Sequence, residues 1–135
     1  MTEPRGLLDT SVVIDLGAAA PDELPGRPVI SAVTLAELSV GPLVARDESQ
    51  RSARQLLLQF AEANFEALPF DSAAARAFGP IASSLRRRGR KVAARSFDAM
   101  IAAVAIANGL RLHTRNPNDF RAIEGLEVVA VGAAG

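Results

Sequence analysis

The chain of 135 residues has no cysteine, no tryptophan and no tyrosine, and it holds one histidine, His113, and one lysine, Lys91. Without cysteine there are no disulfides, thiol nucleophiles, iron–sulfur clusters or thiolate zinc sites. With one imidazole, any metal must be held mainly by oxygen, which favours Mg²⁺, Mn²⁺ or Ca²⁺. Six phenylalanines are the only aromatics, too few to read single-stranded bases by stacking. Long hydrophobic runs are also missing. The longest, Ala99–Ala107, falls far short of the roughly 20 residues of a membrane span. Met1–Gly6 has no hydrophobic signal core, so the expected location is the cytoplasm, with no membrane partner. Nor is one sign of charge in excess, since 15 basic residues meet 15 acidic ones.

What is present is the length and apolar content of one globular domain, 1–135, with strands and helices in alternation. The pattern predicts strands at Gly6–Asp9, Pro28–Val33, Phe65–Phe70, Leu110–Thr114 and Glu127–Val131. It predicts helices at Ser11–Leu16, Thr34–Gly41, about Glu48–Asn64, about Ser72–Arg88, and from Phe97 to an Asn108-Gly109 stop. Ala53, Leu56, Leu57, Phe60 and Ala61 form the expected core face of the third helix. The helix after Phe97 is alanine-rich and apolar nearly all round, as a helix buried against a sheet must be. This alternation implies a parallel sheet covered on both faces, with ligands at the edge where strands end and helices begin.

Four acids fall at that edge: Asp9 closing the first strand, Glu37 in the second helix, Asp98 opening the buried helix, and Asp119 in the loop after His113-Thr114. They lie 28, 61 and 21 residues apart, so only the fold can assemble them. Two unit charges ~4 Å apart cost about 4 kcal/mol at an effective dielectric near 20. A four-carboxylate cluster therefore takes up protons or binds a cation. One or two Mg²⁺ or Mn²⁺ ions would neutralise it and activate water for attack on a phosphodiester. Each acid also has a structural reading. Thr34-x-x-Glu37 has the spacing of a capping box, Asp98 suits a helix N-terminus, and Asp119 suits a turn. Asp9, in a buried strand, resists such a reading best. Asp15 and Asp71 are weaker candidates, read as a helix-end residue and a helix cap.

Other chemistries lack their parts. There is no GxxxxGK[ST] loop, no GxGxxG after the first strand, and no GxSxG for His113 to serve. Arg86, Arg87, Arg88, Arg90, Lys91 and Arg95 crowd into ten residues, leaving 9 basic against 15 acidic residues elsewhere. Such a run suits sequence-independent contacts with nucleic-acid phosphates, and equally a solvated helix end. A catalytically idle nucleic-acid-binding module built on residues 86–95 is thus the alternative to a nuclease.

Leu7-Leu8-Asp9-Thr10-Ser11, Ser31-x-x-Thr34-x-x-Glu37-Leu38, Asp98-x-x-Ile101-Ala102-Ala103-x-Ala105 and Thr114-Arg115-Asn116-Pro117-Asn118-Asp119-Phe120 together resemble the PIN-domain ribonucleases. The likeness is to the VapC-type toxins of toxin–antitoxin pairs, over residues 6–131. It implies a three-layer α/β/α fold with a central parallel sheet of about five strands. It implies a catalytic, metal-holding site of Asp9, Glu37, Asp98 and Asp119 with Mg²⁺ or Mn²⁺, supported by Thr10, Thr114 and Asn116. It further implies endonucleolytic cleavage of structured RNA such as tRNA or rRNA, a homodimer, and a cognate VapB-type antitoxin whose C-terminal segment enters the site. The basic run, with Arg86, Arg87, Arg88, Arg90 and Lys91 as possible RNA contacts, is not part of that resemblance.

Overall fold

A computed structural model of the chain describes residues 4–89 and 95–132. Its sheet has five parallel strands, β1 (Arg5–Leu8), β2 (Arg27–Ser31), β3 (Glu66–Leu68), β4 (Leu112–Thr114) and β5 (Val128–Ala130), in the order β3-β2-β1-β4-β5. Strand order reverses at β1, the position in such sheets where a crevice opens beyond the strand ends. Successive β1 residues serve opposite faces. Leu7 joins Val29 and Leu112 in one core, and Leu8 joins Ile30 in the other. Burying each of these side chains contributes about 1.5–3 kcal/mol, so a one-residue slip of β1 would exchange the contents of both cores.

Helices α4 (Ser72–Arg87) and α5 (Ser96–Ala107) cover the first face, and α1 (Thr10–Ile14) and α3 (Glu48–Asn64) cover the second. Helix α2 (Ala32–Val40) feeds Val33 to one core and Leu38 to the other. In α5, Ala99, Ala102, Ala103 and Ala105 are fully buried with Ile101 and Val104. Small side chains on nearly every side let this helix lie close to the sheet and to α4. The three-layer α/β/α arrangement with five parallel strands is the one implied by the sequence.

Several boundaries differ from the sequence reading. Strand β2 stops at Ser31 and α2 starts at Ala32, because the Ser31 hydroxyl accepts the Val33 N–H at 3.0 Å and caps the helix. Asp9 lies just beyond β1 in extended conformation, its carbonyl accepting the Val12 N–H. The face of α3 read as core is only partly so. Ala61 is buried, but Leu56 is 64% exposed and Phe60 46% exposed. Helix α3 packs on α2 and on the 3₁₀ turn Gly41–Val44 at one flank of the domain, so its apolar stripe is wider than the surface available to cover it.

Candidate active site

Asp9 is the best-held acid. It follows the central strand, its N–H bonds to the His113 carbonyl at 2.9 Å, and it is 4% exposed. One carboxylate oxygen, Oδ2, receives two hydroxyls, from Ser11 and from Thr114, each at 2.8 Å. Both hydroxyls are aimed by backbone donors. The Arg115 N–H bonds Ser11 Oγ at 3.2 Å and the Asn116 N–H bonds Thr114 Oγ1 at 3.0 Å, so each hydroxyl accepts a backbone N–H and directs its own proton at Asp9. Among the described residues Oδ1 receives no hydrogen bond, so one carboxylate oxygen is left without a donor.

Glu37 sits across the crevice on α2. Thr10 donates to Glu37 Oε1 at 2.7 Å and lies 2.9 Å from the Thr34 hydroxyl. Thr10 has one proton and spends it on Glu37, so Thr34 is the donor to Thr10. The capping-box reading of Thr34 and Glu37 therefore fails: Ser31 caps the helix, and Thr34 and Glu37 both turn toward Thr10. Burial, reinforced by Asp9, raises the Glu37 pKa above the ordinary carboxylate value, against the lowering effect of the Thr10 bond.

Asp98 stands in the first turn of α5. Burial pushes its pKa from 3.8 up to about 6, with further contributions from the charges of Asp9, Asp119 and Glu37; Arg95 opposes them. The other three acids of the sequence reading thus all act on Asp98 at one edge of the sheet. Asp119 ends the 3₁₀ turn Pro117–Asp119, and Arg95 grips it at 2.8 Å while lying 3.9 Å from Asp98. Asn116 opens that turn and serves through its backbone N–H.

The donor set suits a hard divalent ion, being wholly carboxylate oxygen and carrying strained protonation at Asp98 and Glu37. As the side chains stand, no group of three or more acids or histidines among the described residues is drawn tightly enough to enclose an ion. The acids share an electrostatic neighbourhood, with Arg95 among them.

The structure divides the basic run. Arg87 and Arg88 line an open groove of about 440 Å³ with Ser84, Arg121 and Glu124, whereas Arg86 faces a separate shallow cleft with Ala82 and Ser83. Arg90 and Lys91 lie outside the described residues. Asp71 caps α4 by accepting the Ala74 N–H at 3.0 Å, and Asp15 pairs with Arg115 at 3.6 Å. His113 is buried on β4, where burial lowers its pKa. Ser11, Thr34 and Arg95 are site residues that sequence reasoning passed over. Ser11 and Arg95 had a legible signal, a hydroxyl two residues after a strand-end acid and a cation three residues before a helical one.

The PIN domain family matches residues 6–126. Ribonuclease VapC5 of Mycobacterium tuberculosis is 38% identical over 133 residues, covering 96% of each chain. The chain belongs to the PIN-domain family and, within it, to the VapC ribonucleases. Another VapC relative, the tRNA(fMet)-specific endonuclease VapC of Shigella flexneri, is 37% identical over 102 residues, covering 75% of this chain and 73% of that one. The crystal structure of VapBC-5, a toxin–antitoxin system of M. tuberculosis, matches the VapC fold described above with a TM-score of 0.81 at 37% identity, over 94% of this chain and 98% of that one.

Proposed function

We propose that this VapC chain, as one PIN domain, is the toxin of a toxin–antitoxin pair and cleaves structured RNA endonucleolytically with Mg²⁺ or Mn²⁺, using Asp9, Glu37, Asp98 and Asp119. The observation that carries the reading is Asp98, a carboxylate buried among three others: burial first, and then the charges of Asp9, Asp119 and Glu37, push its pKa up to about 6. Four acids gathered about one cation, Arg95, leave an excess of negative charge that is costly to keep in a fold and characterises sites that bind a metal ion. A bound Mg²⁺ or Mn²⁺ supplies the charge that lets water attack phosphorus and that offsets negative charge on the phosphate oxygens. The chain's own part is positional. Ser11 and Thr114 hold Asp9 with one oxygen presented, Thr10 and Thr34 aim Glu37, and the Asn116 N–H fixes Thr114.

The path proposed for the RNA follows from the helix hairpin. Helix α4 ends and α5 begins on the same side of the domain, since they are consecutive and packed together. Arg87 and Arg88 share one groove with Arg121, two residues after Asp119, and the proposed path runs from this groove to the acids. Contacts of this type grip phosphates without reading bases, which suits a folded RNA; the named substrate of the Shigella relative, a tRNA, is of that class. A VapB-type antitoxin is the proposed partner, as in the VapBC-5 assembly. An open cleft of about 330 Å³ leads to Glu37 between Thr10, Ile14, Leu38, Gly41 and Leu57, with exposed Leu43, Val44, Leu56 and Phe60 on the elements around it. A homodimer belongs to the same reading, for which α4 offers an apolar cleft of about 340 Å³ lined by Ala77, Pro80, Ile81, Ile106 and Ile123.

Antitoxin-free protein incubated with total cellular RNA and Mg²⁺ or Mn²⁺, with fragment ends mapped by sequencing, tests the reading. Discrete cuts are expected, abolished by EDTA and reduced at least ~100-fold by Asp9→Asn or Asp98→Asn, the scale of losing a transition-state charge contact. Cuts that survive these substitutions overturn it. Metal-independent RNA binding without cleavage would instead favour the idle binding module.

A further inference from the structure

Arg95 occupies a position that local helix chemistry does not explain. It is the residue preceding α5, where a side-chain oxygen is favoured to cap the free N–H groups, and it makes no capping bond. The positive end of the helix dipole repels a cation there. The acids supply the compensation: Arg95 Nη1 lies 2.8 Å from Asp119 Oδ1 and 3.9 Å from Asp98 Oδ2. Its side chain is 31% exposed, so neither the pair nor the guanidinium is sealed from a ligand in the crevice. Among the described residues the acids form no enclosure for a divalent ion, and the cation beside Asp119 is Arg95.

We infer that Arg95 is the chain's resident counter-cation, competing with the divalent ion for Asp119 until an RNA phosphodiester draws the guanidinium away. This rests on the proposed metal site. A guanidinium stays charged at any working pH and matches two phosphate oxygens as well as it matches a carboxylate. Released from Asp119, it remains on the rim of the crevice, where a phosphodiester would lie against the acids. Metal and RNA then help each other to bind. RNA removes the competitor for Asp119, and by linkage the metal, in displacing Arg95, frees it for RNA. An RNA-free chain would hold its metal weakly.

Mn²⁺ binding to the full chain, followed by loss of the free Mn²⁺ paramagnetic resonance signal, tests this with and without an uncleavable 2′-O-methyl RNA hairpin. Arg95→Ala and Arg95→Gln should each tighten Mn²⁺ binding in the absence of RNA by about fivefold or more, within the usual span of coupled sites. Glutamine keeps hydrogen-bonding capacity while removing the charge, so agreement between the two variants excludes a folding artefact. The hairpin should tighten Mn²⁺ binding several-fold in the wild type and leave the variants unchanged. Equal or weaker Mn²⁺ affinity in both variants, with binding still lost in Asp98→Asn, overturns the inference and leaves the metal site standing. Equal tightening by the hairpin in all three proteins overturns the phosphate half of it. If no protein binds Mn²⁺ in a manner sensitive to Asp98→Asn, the metal reading and the inference fall together.

Discussion

At the scale of single residues, Asp98 is the most informative group in the chain. Its carboxyl titrates near 6 instead of 3.8 because burial and three neighbouring carboxylates penalise its charge. Between those two pH values the folded chain keeps a proton that the unfolded chain has released. The group's contribution to stability is therefore fully present below about 4 and is lost as pH rises through about 6. The nominal penalty of about 3 kcal/mol above pH 6 is reduced by solvent to ~1–2 kcal/mol, since the side chain is about one-third exposed. In EDTA at pH 7.5, Asp98→Asn should thus be more stable than wild type by ~1–2 kcal/mol in thermal or urea melts, with the advantage disappearing by pH 4. Excess Mg²⁺ should stabilise the wild type more than the variant. A variant less stable than wild type at pH 7.5 would mark Asp98 as an ordinary helix-terminal acid.

Among the elements, the site depends on how closely β1, β4 and the loop before β2 approach one another. Gly6 permits that approach. A Cβ at this position would stand 2.6 Å from His113 Nε2 and 2.8 Å from two ring carbons of Pro25, both parts of rigid rings. Gly6→Ala should cost about 1–3 kcal/mol through overpacking, read as a lower urea midpoint with unchanged slope. An unchanged midpoint would show that β1 and β4 separate freely, and that Thr114 is not rigidly registered on Asp9. The same scale shows where periodicity succeeds and stops. Helix α5 was legible as a buried helix because its apolar residues leave no polar face to expose. Helix α3 was legible as a helix, but the stripe ending in Leu56 and Phe60 is covered only in part, because periodicity reveals which side is apolar and says nothing of what lies opposite. The start of α2 was misplaced because Ser31 and Thr34 are both able to cap, and only the chain direction after β2 selects Ser31.

For the whole molecule, charge is balanced in total, with six of the 15 basic residues gathered in 86–95 of the sequence. Among the described residues, Arg87, Arg88 and Arg121 share one groove, and Arg95 pairs with Asp119. An RNA bridging the groove of Arg87, Arg88 and Arg121 should bind with an affinity that falls steeply with salt, each phosphate contact adding roughly 0.7–0.9 to the slope of log affinity against log salt. Arg121→Ala should lower that slope by about one and weaken structured RNAs of different sequence alike. Sequence-dependent weakening with an unchanged slope would place Arg121 on a base and not on a phosphate. No helix among the described residues is long and apolar enough to cross a membrane, consistent with the short apolar runs of the sequence.

Sequence alone determined the strand–helix alternation, the parallel three-layer fold and the four acids at one sheet edge, because period and element order follow from local patterns of burial. It also placed Asp9 beside the end of a central strand, one residue beyond β1, where its side chain makes no capping bond to α1. The partners of those acids were decided by tertiary structure. Thr114 and Asp9 are 105 residues apart in the chain, yet they meet because β1 and β4 are neighbours in register. Thr34 left its apparent capping role because Thr10 faces it across the crevice. Arg95, one cation among six in a basic run, is the partner of Asp119, 24 residues on, only because the fold brings the start of α5 beside the Pro117–Asp119 turn. Hydrogen bonds and ion pairs act over about 3 Å, and no pattern of spacing along a chain encodes distances that folding alone creates.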